Sequence, residues 1–188
     1  MAKFGNNFLT HELSGMLGDL VVFRQRDGKT ILANKPGKRN HEPSAAQAAH
    51  QQRFQEAVLY AKSVKTIPEK EAEYAVKAVD GLSVYNNVAL ADFMQAPHID
   101  EIDVTLYNGQ PGSKIRIRAV DDFKVAEVTV DVETAEGVQV EHGAAVRELN
   151  NLDWIYTVTG DLGSSAGQKI VIRASDLPGN LTQATQTV

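Results

Sequence analysis

No cysteine occurs in the chain, which excludes a disulfide framework and removes thiolate and iron–sulfur chemistry. Such a composition suits a reducing compartment. Long hydrophobic runs are missing as well. No stretch approaches the roughly 20 apolar residues of a membrane span, so no membrane insertion is expected. The opening Met1-Ala-Lys-Phe-Gly-Asn-Asn-Phe8 has no uninterrupted apolar segment and no small-residue cleavage site. The expectation is a protein made in the cytoplasm without a signal peptide. Catalytic signatures are also absent: there is no Gly-x-Ser-x-Gly elbow, no Walker loop and no dinucleotide Gly-x-Gly-x-x-Gly after a strand. Ser164 and Ser165 have no base placed near them by sequence. His11, His41, His50, His98 and His142 show none of the paired spacings of a zinc site. The chain reads as a non-enzyme with no cofactor.

An excess of positive charge is lacking too. The formal net charge of −5 argues against general nucleic-acid binding, which wants a basic face. The distribution says more than the sum. Residues 1–43 carry seven Lys/Arg against four Asp/Glu (+3), residues 44–96 five against six (−1), and residues 97–188 seven against fourteen (−7). A basic head and an acidic tail can attract one another between neighbouring subunits, an effect that salt weakens.

What is present is organised around residues 18–36. Two β-prone runs, Leu20 to Arg24 and Thr30 to Asn34, flank Asp27-Gly28, a strong hairpin signal. Leu20, Val22 and Arg24 share one strand face, and Val21 and Phe23 share the other. Apolar groups therefore stand on both faces, whereas a hairpin lying on a protein surface keeps one polar side. A lone two-stranded ribbon is marginal in water and needs a cover. Leu20, Val21, Val22, Phe23, Ile31 and Leu32 are accordingly candidate assembly residues, with other copies of the chain as partner. Residues 1–17 hold six large apolar side chains alongside Gly5 and Gly15, with Gly18 just after, and are expected to pack rather than remain free. Arg24, Arg26, Lys29, Lys35, Lys38 and Arg39 lack the interleaved aromatics of a nucleic-acid comb, and charges on a hairpin also protect its edges.

Lys35 to Pro43 reads as a linker. Ser44 followed by Gln47 has capping-box spacing, and a helix is expected from there to about Val64. Its stripe is Phe54, Ala57, Val58, Ala61 and Val64, with His50, Gln47, Gln51, Gln52 and Gln55 on a solvated face. A second helix is expected from Pro68 to Gly81, with Ala72, Ala75, Val76 and Val79 as its stripe. A third runs from Ser83 to about Met94, with Val84, Val88, Ala91 and Met94 inward.

From Ile99 the period becomes alternating. Candidate strands are 102–107, 114–120, 124–132, 138–141, 154–159, 169–174 and 181–187. About seven short strands in roughly 90 residues is the pattern of an immunoglobulin-like sandwich. Lys114-Ile-Arg-Ile-Arg-Ala-Val-Asp121 matches Lys169-Ile-Val-Ile-Arg-Ala-Ser-Asp176 at six of eight positions. Two strands in similar environments explain this echo better than two modules too small to close alone. Asp121, Asp122 and Asp176 end these strands, and Asp100, Glu101 and Asp103 stand near the domain entrance. Carboxylates gathered at one pole can hold Ca²⁺; alternatively they cap the backbone N–H groups of turns. Asp153-Trp154-Ile155-Tyr156 is either an aromatic platform for a sugar or, as is commoner for a single Trp in a sandwich, part of its core.

The stretch Ile170-Val-Ile-Arg-Ala-Ser-Asp-Leu-Pro-Gly-Asn180, with its Thr-rich last strand, resembles bacterial immunoglobulin-like modules over residues 99–188. The segment from Gly15 to Pro36, with the Gln-rich helix after it, resembles bacterial proteins without an assigned function. The resemblance implies a sandwich used as a spacer, an adhesive unit or a component of extracellular or virion structures. The expected fold is therefore α+β: an N-terminal β-hairpin arm (1–43), short helices (44–96) and a C-terminal immunoglobulin-like antiparallel β-sandwich (97–188). The expected function is that of a self-assembling structural subunit, in a filament or in a virion- or injection-type assembly. The alternative is an adhesion module binding a surface glycan or protein.

Overall fold

The computed structural model describes residues 2–4, 13–26, 29–35, 37, 42–77 and 88–188. The fold is β-rich α+β, mostly antiparallel sheet with a few short helices. The chain divides into two compact units, residues 1–49 and 50–188.

The first unit is a four-stranded antiparallel sheet in the order β1-β4-β3-β2. Its strands are β1 (Ala2–Phe4), β2 (Gly15–Leu17), β3 (Val21–Arg26) and β4 (Lys29–Asn34). The hairpin is there, with Arg26 paired to Lys29. Asp27 and Gly28 themselves lie outside the described residues. The expectation of a lone two-stranded ribbon is corrected, because β1 pairs with β4 and β2 pairs with β3. Residues 2–4 and 15–17 thus serve the hairpin's own hydrogen-bonding edges.

Helices come next, the first beginning at the end of the first unit and running into the second. Helix α1 (Ala45–Val64) enters through the expected capping box: Ser44 N–H donates to Gln47 Oε1 at 3.0 Å, and Gln47 N–H donates to Ser44 Oγ at 3.3 Å. Ala57, Ala61 and Val64 are buried as expected, while Phe54 stays half in solvent. Helix α2 is shorter than expected, Pro68–Ala75, and its stripe is different. Ala72, Ala75 and Val76 are exposed, and the fully buried residue is Tyr74. One phenol ring offers more apolar area than a pair of alanine methyls, provided its hydroxyl finds a partner. Tyr74 packs against Phe123 with ring centroids 4.5 Å apart, and its hydroxyl lies 2.9 Å from that of Tyr60. Among the described residues helix α3 is Leu90–Met94, with Val88 buried before it; Val79 and Val84 lie outside the described residues.

Eight strands follow: β5 (His98–Asp103), β6 (Lys114–Val120), β7 (Val125–Glu133), β8 (Gln139–Ala144), β9 (Val146–Arg147), β10 (Asp153–Thr157), β11 (Lys169–Asp176) and β12 (Leu181–Thr187). They form two four-stranded antiparallel sheets, β5-β6-β10-β9 and β12-β11-β7-β8. One core joins them, built from Ile115 and Ile117, Trp154 and Tyr156, Val128, Val130 and Val132, and Ile170 and Ile172. The alternation is as read: Ile115, Ile117 and Ala119 point inward. Arg116 and Arg118, on the other face, pair with Glu101, Asp103 and Asp153. Trp154 is core, which removes the sugar platform. The first strand starts and stops about four residues earlier than its pattern suggests. Asp103 Oδ1 accepts from the Thr105 N–H (2.9 Å) and hydroxyl (2.7 Å), and this side-chain turn ends the strand before Leu106.

Two expectations follow from this packing. Gly109 has φ +78°, and a Cβ placed on it would lie 2.5 Å from the carbonyl oxygen of Gly163. Backbone cannot yield as a side-chain tip can, so Gly109→Ala should cost about 2 kcal/mol or more in a denaturant titration. The second concerns acid. Burial pushes the Asp131 carboxyl up, but hydrogen bonds from His142 and Arg173 outweigh it and hold the group below its ordinary value. Arg118 holds Asp153 low, and the Thr105 turn holds Asp103 at about 2. Lowered folded-state values mean that the native state binds fewer protons than the unfolded chain. The stabilisation is complete above about pH 4 and is lost as pH falls through the lowered values. Melting temperature should therefore drop between about pH 4 and pH 2, and Asp131→Asn should flatten that drop.

Candidate functional site

Two places in the molecule carry the residues singled out from the sequence. The first is the N-terminal sheet. Val21, Val22, Phe23, Ile31 and Leu32 lie within β3 and β4 and are half-buried. Leu20 is not in the strand but in the turn before it, and is 78% exposed. The register gives each face its own apolar set. Phe23 stands opposite Leu32 on one face, with Val21 and Leu17 beside them. Val22 stands opposite Ala33 on the other, with Met16 next to it. Met16 and Leu17 remain 59% and 65% exposed. Among the described residues of this unit the one fully buried side chain is Thr30, which accepts a hydrogen bond from Gln25 at 2.7 Å. A sheet rich in apolar groups on both faces therefore closes no apolar core of its own among those residues. Met16 and Leu17 extend the surface beyond the hairpin, a contribution that strand pairing reveals and the hairpin pattern alone does not.

The second place is where β6 and β11 end. The two matching strands lie in different sheets, yet both deliver their terminal aspartate to one spot. Asp121 and Asp176 meet Asp92 there, with one carboxylate oxygen from each residue within 4.8 Å of the others. Asp122, read as a member, is exposed and stands apart. Adjacent residues leave a strand end in different directions, so only one of the pair can turn inward. Asp100, Glu101 and Asp103 are not in this cluster either; Glu101 and Asp103 belong to the Arg116 network.

Asp121 and Asp176 do cap turns. Asp121 Oδ2 accepts from the N–H groups of Phe123 (3.1 Å) and Lys124 (2.8 Å). Asp176 Oδ1 accepts from Gly179 (2.8 Å) and Asn180 (2.6 Å). Asp92 is different. It sits on a five-residue helix, 1% exposed, with Oδ2 accepting from the Tyr74 hydroxyl. Its Oδ1 is buried with no hydrogen-bond partner, and so is Oδ1 of Asp121. Burial pushes the Asp92 carboxyl up to about 7; the Tyr74 hydrogen bond pulls against this, while Asp121 and Asp176 add to the rise. Burial raises Asp176 as well, against the pull of its turn hydrogen bonds. The inward stripe expected for this helix, Val84, Val88, Ala91 and Met94, does not include Asp92, and aspartate on a helix ordinarily faces water. Only the pairing with Tyr74, itself hidden by the alanine stripe, places it inside.

No protein-family model matches the chain, and no curated protein does. Solved structures resemble it over part of its length. The crystal structure of an engineered protein aligns at 18% identity and TM-score 0.36, covering 56% of this chain and 22% of that one. A D470A mutant pullulanase from Paenibacillus barengoltzii, complexed with maltotetraose, aligns at 22% identity and TM-score 0.30, covering 45% of this chain and 12% of that one. The chain thus spans less than a quarter of the length of these structures, and likeness at this level assigns neither family nor activity.

Proposed function

We propose that the protein is a structural, self-assembling subunit whose N-terminal sheet buries its apolar faces against other copies of the same chain. The observation that carries this is the sheet itself: Val21, Phe23, Leu32, Val22, Ala33, Met16 and Leu17 stand on two faces, and none of them is fully buried. Apolar surface of this kind is stabilised at about 25 cal/mol per Å² when removed from water, and a second copy supplies the cover in a fixed stoichiometry. A heterologous contact of this kind builds rings or filaments. The second unit has its own core, and two facing four-stranded antiparallel sheets support its reading as an immunoglobulin-like sandwich displayed by the assembly. Deleting residues 1–40 tests the division of labour. The remainder should be a monomer by light scattering, with cooperative unfolding retained. A truncated protein that still assembles would place the contacts in the second unit and overturn the proposal.

A further inference from the structure

The cluster of Asp92, Asp121 and Asp176 lies away from the assembly surface residues in sequence and is independent of that reading. Three carboxylates this close repel one another unless something positive sits among them. The nearby cations are committed elsewhere. Arg53 donates to Asn180 Oδ1 at 3.0 Å and to the Phe93 carbonyl at 3.2 Å, and Lys124 pairs with Glu73. Asn180 Nδ2 also donates at this end. It has two hydrogens for four oxygens within 3.3 Å: Asp176 Oδ2 and the carbonyls of Asp92, Phe93 and Gln95. Asn180 therefore cannot satisfy all four oxygens at once. Asp92 adds the observation that a surface acidic patch lacks: a side chain 1% exposed whose Oδ1 is buried and unpartnered. A buried carboxylate oxygen left without a partner carries the full desolvation penalty of a charged group. Asp121 Oδ1, likewise buried and unpartnered, makes the same demand.

We infer that Asp92, Asp121 and Asp176 form a binding site for a calcium-sized divalent cation. Calcium takes oxygen ligands at about 2.3–2.6 Å, so two oxygens on opposite sides of one ion stand roughly 4.6–5.2 Å apart. The three oxygens all lie within 4.8 Å of one another, close enough to share one such ion. Asp92 Oδ1 and Asp121 Oδ1 are the open ligands. Asp176, held by Gly179 and Asn180, is a preset third. The ion ties α3 to the ends of β6 and β11, which are three separate stretches of chain. Its binding free energy therefore adds to folding stability.

The test uses the full chain at pH 7.5. With about 5 mM Ca²⁺ the melting temperature should rise by roughly 3–10 °C over the protein in EDTA, as mass action requires for a ligand that binds only the folded state. Tb³⁺ should give sensitised emission on tyrosine excitation, because Tyr74 touches Asp92, and excess Ca²⁺ should quench it. Asp92→Asn should abolish both responses, and Asp122→Asn should leave both intact. If Asp92→Asn fails to fold, the wild-type calcium shift and the terbium signal decide the matter alone. A shared proton in place of the ion predicts no calcium response in the wild-type protein, and that result would overturn the inference. So would a response that survives in Asp92→Asn.

Discussion

Ile172→Ala is expected to remove about 2–5 kcal/mol of unfolding free energy, the largest single loss anticipated for an apolar truncation here. Ile172 is fully buried at the middle of β11, between Val130 on β7 and Ala184 on β12. Its side chain enters the core shared by the two sheets, beside Ile170, Val128 and Ile117. Removing three carbons there loses their transfer free energy and leaves a cavity. The neighbours cannot collapse into it, because they are fixed by strand pairing on both sides. Equilibrium unfolding in urea, with the slope compared between the two proteins, measures the loss. A change below about 1 kcal/mol would mean that the core does not depend on this position.

Ile172 was legible from sequence, and the reason is instructive beside Asp92, which was not. In Lys169–Asp176 the residues Ile170, Ile172 and Ala174 recur at every second position and are buried, so a period of two picks out the core face even though Val171 on the other face is apolar and buried too. The capping box at Ser44 and Gln47 and the hairpin around Asp27-Gly28 were legible for a similar reason: each is a local arrangement whose partners lie within a few residues. The carboxylate cluster is the opposite case. Asp121 and Asp176 could be linked through their matching strands. Asp92 comes from a short helix whose inward face is set by Tyr74, Tyr60 and Phe93, and no local pattern encodes that. The added strands β1 and β2 were missed likewise. Three residues each are too few for a period to show, and their pairing with the hairpin is non-local.

Phe23→Asp is expected to have the largest effect on association, converting the assembly to monomers while the second unit stays folded. Phe23 is at the centre of one face of the N-terminal sheet, paired to Leu32 across β4 and to Gly15 across β2. A carboxylate there, once covered by another copy, would be desolvated with no cation opposite it in the sheet's apolar face. The cost is several kcal/mol per contact. Val22→Asp makes the same change on the other face, beside Met16 and Ala33. If both faces are used, each substitution blocks assembly alone; if one is used, only one of the two does so. Circular dichroism and a thermal melt show whether residues 50–188 remain folded in each variant. A variant that keeps its wild-type mass would show that its face takes no part in association.

The most direct measurement is the mass of the unmodified full-length chain at micromolar concentration, by size-exclusion chromatography with light scattering and negative-stain microscopy of the same peak. A mass of several times the 20.5 kDa of one chain, with regular particles or filaments, is the predicted result. A single monodisperse species at 20.5 kDa would contradict self-assembly through the N-terminal sheet.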